Sequence, residues 1–258
     1  ACAFTENQAY AAGAFENSYA TGLATTEMKY CTFVLNTADS FGGAVYNRVS
    51  RPKITNCLFE ANVALDPDNG VGGAIANWSS YATLRNCTIV GNRAPRSGSA
   101  IESGDNPPIV TNCIIWDNPD GHTGIATNGE FSIYYCNIQH GWDGEGNMDE
   151  DPLFAQPGVW DPNGTPADET DDFWIRGDYH LKSAAGRWDP NSLAWIRDDV
   201  TSPCIDNGYY EDPVGDELLP NGWLINMGVF GGTAQASMSL CPSGHPADCY
   251  TDGLVNKL

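Results

Sequence analysis

One pattern governs what this chain can fold into: an Asn-Cys pair, an apolar residue and an Asn come back as TNCLFEAN (55–62), RNCTIVGN (85–92) and TNCIIWDN (111–118). Aligned on cysteine, Cys2, Cys31, Cys57, Cys87, Cys113 and Cys136 stand 29, 26, 30, 26 and 23 residues apart. Two residues after each comes Phe4, Phe33, Phe59, Ile89, Ile115 or Ile138. Five residues after the first five comes Asn7, Asn36, Asn62, Asn92 or Asn118, and Gly141 takes that place in the sixth. A period this long, kept this strictly, is the mark of stacked structural repeats.

Two further blocks run in step with the cysteines. GAFEN (13–17), GAVYN (43–47), GAIAN (73–77), SAIES (99–103) and GIATN (124–128) form one, and KITN, TLRN, IVTN and SIYY before successive cysteines form the other. Each repeat thus offers three short segments of period-2 alternation, separated by Gly, Asn, Pro and Asp, with no room for a helix. Cysteine and the Phe or Ile two residues on share one face of an extended strand, so both point inward. Stacking like on like predicts a cysteine ladder (Cys31, Cys57, Cys87, Cys113), a Phe-to-Ile ladder beside it, and an asparagine ladder (Asn36, Asn62, Asn92, Asn118) at a bend. There the side-chain amide supplies hydrogen bonds that the turning backbone cannot make for itself.

The grammar of Gly72-Gly73-Ala74-Ile75 to Asn77, followed by the Ile-Thr-Asn-Cys type of block, resembles the right-handed parallel β-helix repeat proteins of the pectate-lyase-like superfamily. The resemblance covers residues 1–140 coil by coil. SPCID (202–206), DYHLKS (178–183) and INMGVFGGTA (225–234) are similar to the region that follows such repeats in secreted bacterial proteins. The resemblance implies an all-β fold: a right-handed parallel β-helix over 1–140, an irregular Trp-rich capping region over 141–240, and a tail over 241–258. It implies no single activity, because lyases, hydrolases, adhesins and inert spacers share that fold.

Charge narrows the partners. The chain carries a formal −21, of which residues 1–140 hold −5 and residues 141–258 hold −16. Nucleic acid and anionic membranes would repel it, and no apolar run is long enough to insert into a bilayer. Few lysines, abundant Asn, Gly, Thr and Trp, and the acidic balance suit an extracellular or cell-surface protein. With no initiator Met or signal peptide, and with Cys2 already in the ladder, the sequence reads as a piece of a longer precursor.

The ladder cysteines read as buried small hydrophobes. Neighbours ~4.8 Å apart with parallel Cβ vectors make poor disulfides. Cys241 and Cys249, in CPSGHPADC, are the better candidate pair, and Cys204 reads as buried and free. Six of the eight tryptophans fall in the second half. They read as cap packing or, at Trp160, Trp174 and Trp188, as a platform for sugar rings. No cofactor is required, and calcium is the one ion the residue pattern suggests. Its candidate ligands are Asp143, Glu145 and Asp149 in DGEGNMDED and Asp248, Asp252 and Asn256 in DCYTDGLVN, where the spacing resembles the start of a dockerin or EF-hand loop.

Catalytic signals are thin. No Lys or Arg recurs at one coil position, as a lyase groove would need. Paired carboxylates such as Asp171-Asp172 and Asp198-Asp199 lie outside the coils, and His122, His140, His180 and His245 show no ligand spacing. The leading expectation is therefore an extracellular structural or adhesive solenoid, self-associating head to tail or holding other surface components, and contacting polysaccharide. The alternative is a polysaccharide lyase or glycoside hydrolase.

Overall fold

The computed structural model describes residues 1–18, 26–119, 124–127, 129, 132–166, 168 and 171–240. Among these residues all regular structure is β, and no helix is long and apolar enough to cross a membrane. Residues 1–138 wind into coils whose strands stack in parallel on their equivalents one coil on. The first sheet has six strands: Ala3–Thr5, Thr32–Val34, Leu58–Glu60, Thr88–Val90, Ile114–Trp116 and Asn137–Ile138. Third and fourth sheets of five strands each are built from the GAxxN-type and KIT-type blocks.

A short second sheet joins Gln8–Ala11, Thr37–Phe41 and Val63–Ala64, so the early coils carry four strands where the sequence suggests three. It lies just after the ladder asparagine. It fades into isolated bridges such as Val63 with Arg93, where the later coils place Pro95 and Pro119.

Register follows the repeat residue for residue. Phe4, Phe33, Phe59, Ile89, Ile115 and Ile138 are successive partners in the first sheet. The phenyl rings of Phe4, Phe33 and Phe59 stack at 4.9 and 4.7 Å, 2° and 3° from parallel. This is what translation by one coil does to a conserved rotamer. Cys31, Cys57, Cys87, Cys113 and Cys136 are buried and free. Burial pushes the Cys57, Cys87 and Cys113 thiols far above their ordinary range, which keeps them inert. Cys241 and Cys249 lie outside the described residues.

The asparagine bend is a continuous hydrogen-bonded column. Asn36 donates from its backbone N and its Nδ2 to Asn62 Oδ1, at 3.0 and 2.9 Å. Asn62 repeats this to Asn92, at 2.9 and 2.9 Å, and Asn92 to Asn118, at 3.0 and 3.0 Å. Each Nδ2 also reaches back to a first-sheet carbonyl one coil earlier: Phe4 from Asn36, Phe33 from Asn62, Phe59 from Asn92. Every amide therefore ties three coils together. At the corner before the third sheet, Gly13, Gly43 and Gly73 approach the carbonyl one coil on so closely that a Cβ would collide with it.

The two ends differ. Strands of the first coil pair on one side only, and no described residue covers their outer edge. At the other end the chain caps itself with residues 141–149. Met148 bridges Asn137, Asn147 Oδ1 accepts the Cys136 amide, and Trp142 packs against the interior cluster.

The rest of the expected cap does not sit on the end of the solenoid. Residues 150–240 lie along its side, over the outer face of the first sheet. Val90 and Ile114 share a buried cluster there with Phe154, Tyr179, Leu181, Cys204 and Met227. Nor is this region wholly irregular. Three antiparallel pairs run through it: Phe154–Gln156 with Asp178–Leu181, Val159–Asp161 with Phe173–Ile175, and Arg187–Asp189 with Ala194–Ile196.

Candidate binding cleft

The docking of the C-terminal region against the coils forms a cleft, and one buried carboxylate holds its wall. Glu60 occupies an outward position of the first sheet and is fully buried. Its Oε1 accepts Trp174 Nε1 at 2.8 Å, the Gly177 amide at 3.0 Å and the Tyr179 hydroxyl at 2.8 Å. Arg176 donates to its Oε2 from Nε and Nη2, both at 3.0 Å. A carboxylate this saturated with donors is a latch, with no lone pair left to work as a base. Tyr179 is correspondingly held as a phenol: burial first, then the Glu60 charge, push its hydroxyl far up.

The latch sets Trp174 over the bend between the first and second sheets. The residue just before each ladder position there is left-handed: Glu6, Leu35, Ala61, Gly91, Asp117 and His140 have φ between 50° and 70°. A left-handed residue at a bend throws its side chain outward, and successive ones lie ~4.8 Å apart, one coil spacing. At the third and fourth places the column holds Ala61, buried, and Gly91, where a Cβ would strike the Trp174 ring. At the fifth and sixth it exposes Asp117 and His140.

Between this column and the 158–175 hairpin lies a cavity of about 500 Å³ lined by Arg93, Asp117, Gln139, His140, Trp160 and Trp174, among others. It shares His140 with a wider hollow at the solenoid end, near Trp142, Asp143 and Asp149, and Arg93 and Pro119 with a smaller one near Leu65 and Pro95. Through these shared lining residues the three hollows sit side by side along the flank of the coils.

Its walls are well held. Trp160 donates from Nε1 to the Gly91 carbonyl at 2.8 Å and meets Trp174 edge to face, with centroids 5.3 Å apart. The Arg93 guanidinium lies 4.1 Å over the Trp160 ring and pairs with Asp172 at 2.9 Å. Asp117 and Gln139 lock together: the Asp117 amide donates to Gln139 Oε1 at 2.8 Å, and Gln139 Nε2 to Asp117 Oδ1 at 3.3 Å. Partial desolvation by the cleft walls raises the Asp117 carboxyl above the ordinary range. The Gln139 bond opposes this, and the charge of Asp151 adds to it. The His140 amide donates to Asp149 Oδ1 at 3.1 Å.

The residues singled out from sequence are thereby distributed. Trp160 and Trp174 come together, Trp160 in the cleft wall and Trp174 buried behind it. Trp188 instead pairs with Trp195 on the last hairpin, centroids 5.9 Å apart, and lines no part of the channel. Asp143 and Asp149 flank the end hollow, but Glu145 turns to the Tyr135 hydroxyl, which donates to it at 3.1 Å. Among the described residues no three His, Cys, Asp or Glu side chains are grouped to hold a metal. Asp248, Asp252 and Asn256 lie outside the described residues, as do His122 and His245. Sequence reasoning missed Glu60, Asp117, Gln139 and Arg93. The one available signal was that the residue before each ladder Asn changes from Ala61 to Gly91 to Asp117.

Compared with known families, residues 2–139 match the model described as right handed beta helix region. Residues 169–208 match one described as disaggregatase related, a stretch that includes Trp174, Arg176 and Tyr179 of the latch. No curated protein and no solved structure matches the chain.

Proposed function

Because the chain belongs to the right-handed β-helix family, whose coils form a long uniform flank here, we propose that it is an extracellular adhesive solenoid that holds a polysaccharide along that flank. The observation that carries this reading is the row of hollows along the flank from Leu65 past Trp160 to Trp142, walled by an indole and by polar side chains on a rigid column. An elongated groove of this kind suits an extended polymer, with indole faces for apolar ring surfaces and Gln139, Asp117 and His140 for hydroxyls. The acidic balance of the second half favours neutral or amino-bearing glycans over uronates. Affinity electrophoresis of the protein through gels containing a panel of polysaccharides tests it. Retardation by at least one neutral glycan is expected, and unretarded migration in every gel would overturn the reading.

A second reading, a polysaccharide-degrading enzyme, is favoured by two observations. Asp117, one coil from His140 on the same column, has its carboxyl raised above its ordinary value by desolvation, and the likeness of residues 169–208 is to a family described as disaggregatase related. Release of reducing ends or unsaturated products by the protein, lost in Asp117→Asn, would establish it. A bound glycan that stays intact would leave adhesion as the function.

A further inference from the structure

The last described segment, 203–240, contains three buried oxygens without a well-formed hydrogen bond, and they belong to one neighbourhood. Glu217 is 8 % exposed. Its Oε1 is fixed by the amides of Asn226 at 2.8 Å and Gly232 at 2.7 Å, while its Oε2 has no hydrogen-bond partner. Asp206 has the same asymmetry. One carboxylate oxygen lies against the Gly222 backbone, and Oδ1 is buried with no partner. Ser239, 5 % exposed, stands beside Asp206, its Oγ near enough to act on that carboxylate but in no well-formed hydrogen bond.

The two carboxylates feel each other's charge, and neither is in an ion pair among the described residues. The backbone around them is tightly specified. The Asp206 amide donates to Asn226 Oδ1 at 2.8 Å, and Asn226 Nδ2 donates to the Ser237 carbonyl at 2.7 Å. The oxygens are thus held in place rather than swept into solvent.

We infer that Asp206, Glu217 and Ser239 form a binding site for a divalent cation of the calcium class. Two like charges brought together in a buried place need compensation, and a proton on one carboxyl leaves the other charged. A hard dication meets all three at once, and carboxylate and hydroxyl oxygens with no nitrogen or sulfur nearby select calcium or magnesium over softer metals. Backbone carbonyls and water complete such a shell.

The site would also clamp the segment against the coils. Arg85 pairs with Asp212 at 2.8 Å, and Asn112 Nδ2 donates to Asp212 at 2.8 Å. Asn86 Nδ2 donates to the Asn226 carbonyl at 2.9 Å, and the Gly228 amide to the Asn112 carbonyl at 2.8 Å. Asn226 therefore links the cation site directly to the solenoid wall. This site is separate from the acidic loop at 143–151 and from the glycan channel.

The test uses the whole chain, stripped with chelator and dialysed, then titrated with calcium chloride alone at pH 7.5 by calorimetry and followed by thermal unfolding. One saturable site with a rise in Tm is expected. Glu217→Gln and Asp206→Asn should each lower calcium affinity at least tenfold, while the double variant Asp143→Asn, Asp149→Asn keeps it. Circular dichroism checks that both single variants fold. If one does not, the other carries the test. No calcium-dependent rise in Tm for the unmodified chain, or an equal rise in both single variants, overturns the site. So does a stability that changes only with pH, which would make the pair a proton-sharing one.

Discussion

The solenoid and the region lying along its flank solve the same burial problem in opposite ways. In the coils each side chain is buried by a copy of itself: Phe on Phe, Cys on Cys, Asn on Asn. Nothing need be specified but the period, and an error in one coil is felt mainly by its two neighbours. In residues 150–240 burial depends on single, unrepeated contacts. Glu60 meets Trp174, Arg176, Gly177 and Tyr179, and Asn86 and Asn112 meet the 209–228 segment. A repeat is robust and functionally monotonous. The unrepeated flank is fragile, and it is what turns a uniform face into a cleft.

The sharpest way to break this comparison is at Glu60. Glu60→Ala leaves the Trp174 indole N–H, the Tyr179 hydroxyl and the Gly177 amide buried and unpaired, at about 4 kcal/mol. Native-state hydrogen exchange should show protection lost over 154–181 while the strands at Thr88–Val90 and Ile114–Trp116 keep theirs. Loss of protection everywhere at once would make the two regions a single cooperative unit.

Next in size is the pH response of the flank. Burial chiefly, with Asp206 adding, raises the Glu217 carboxyl from 4.5 to about 7. A carboxyl raised on folding binds its proton more tightly in the folded state. Its contribution is therefore fully present below about pH 4.5 and is lost as pH rises through about 7, a change of about 3 kcal/mol at most. In chelator, denaturant titrations across that window should show the decline, and Glu217→Gln should flatten it. An unchanged slope in the variant would remove Glu217 as its source.

Within the coils, Asn62→Ala should cost about 2 kcal/mol, because the Asn36 amide and the Phe33 carbonyl lose their partner together. A cost near zero, measured by chemical denaturation, would reject the asparagine column as a source of stability. Cys57→Ala should cost only about 1 kcal/mol, and reductant should leave the Tm of that variant and of the unmodified chain equally unmoved, since the ladder thiols serve as small apolar fillers. A reductant-sensitive Tm that Cys57→Ala abolishes would mean that this thiol is bonded.

What was legible in the sequence tracks the same divide. Cys57, Phe59 and Asn62 announced their interior and bend positions because the chain states each of them several times over. Glu60 stands between Phe59 and Ala61 and, by strand alternation, reads as one more solvent-facing carboxylate. Its partners lie more than a hundred residues away and recur nowhere. The tryptophans were visible as a cluster in composition, but not which would meet a cleft. That depends on Gly91, which admits the Trp174 ring, and a lone glycine in a turn position carries no such message. Asp117 and His140 were placed by the repeat at the bend. Their left-handed backbone, which turns them outward into one channel, follows from the coil geometry and not from residue type.

The measurement that tests the central claim most directly compares two tryptophans that the sequence could not tell apart. Isothermal titration of the best-retained glycan against Trp160→Ala and Trp188→Ala separates the channel from the rest of the flank. The account predicts at least a tenfold loss of affinity for Trp160→Ala, about 1.4 kcal/mol or more, and affinity within twofold of the unmodified chain for Trp188→Ala. Equal losses in both, or a loss confined to Trp188→Ala, would contradict it.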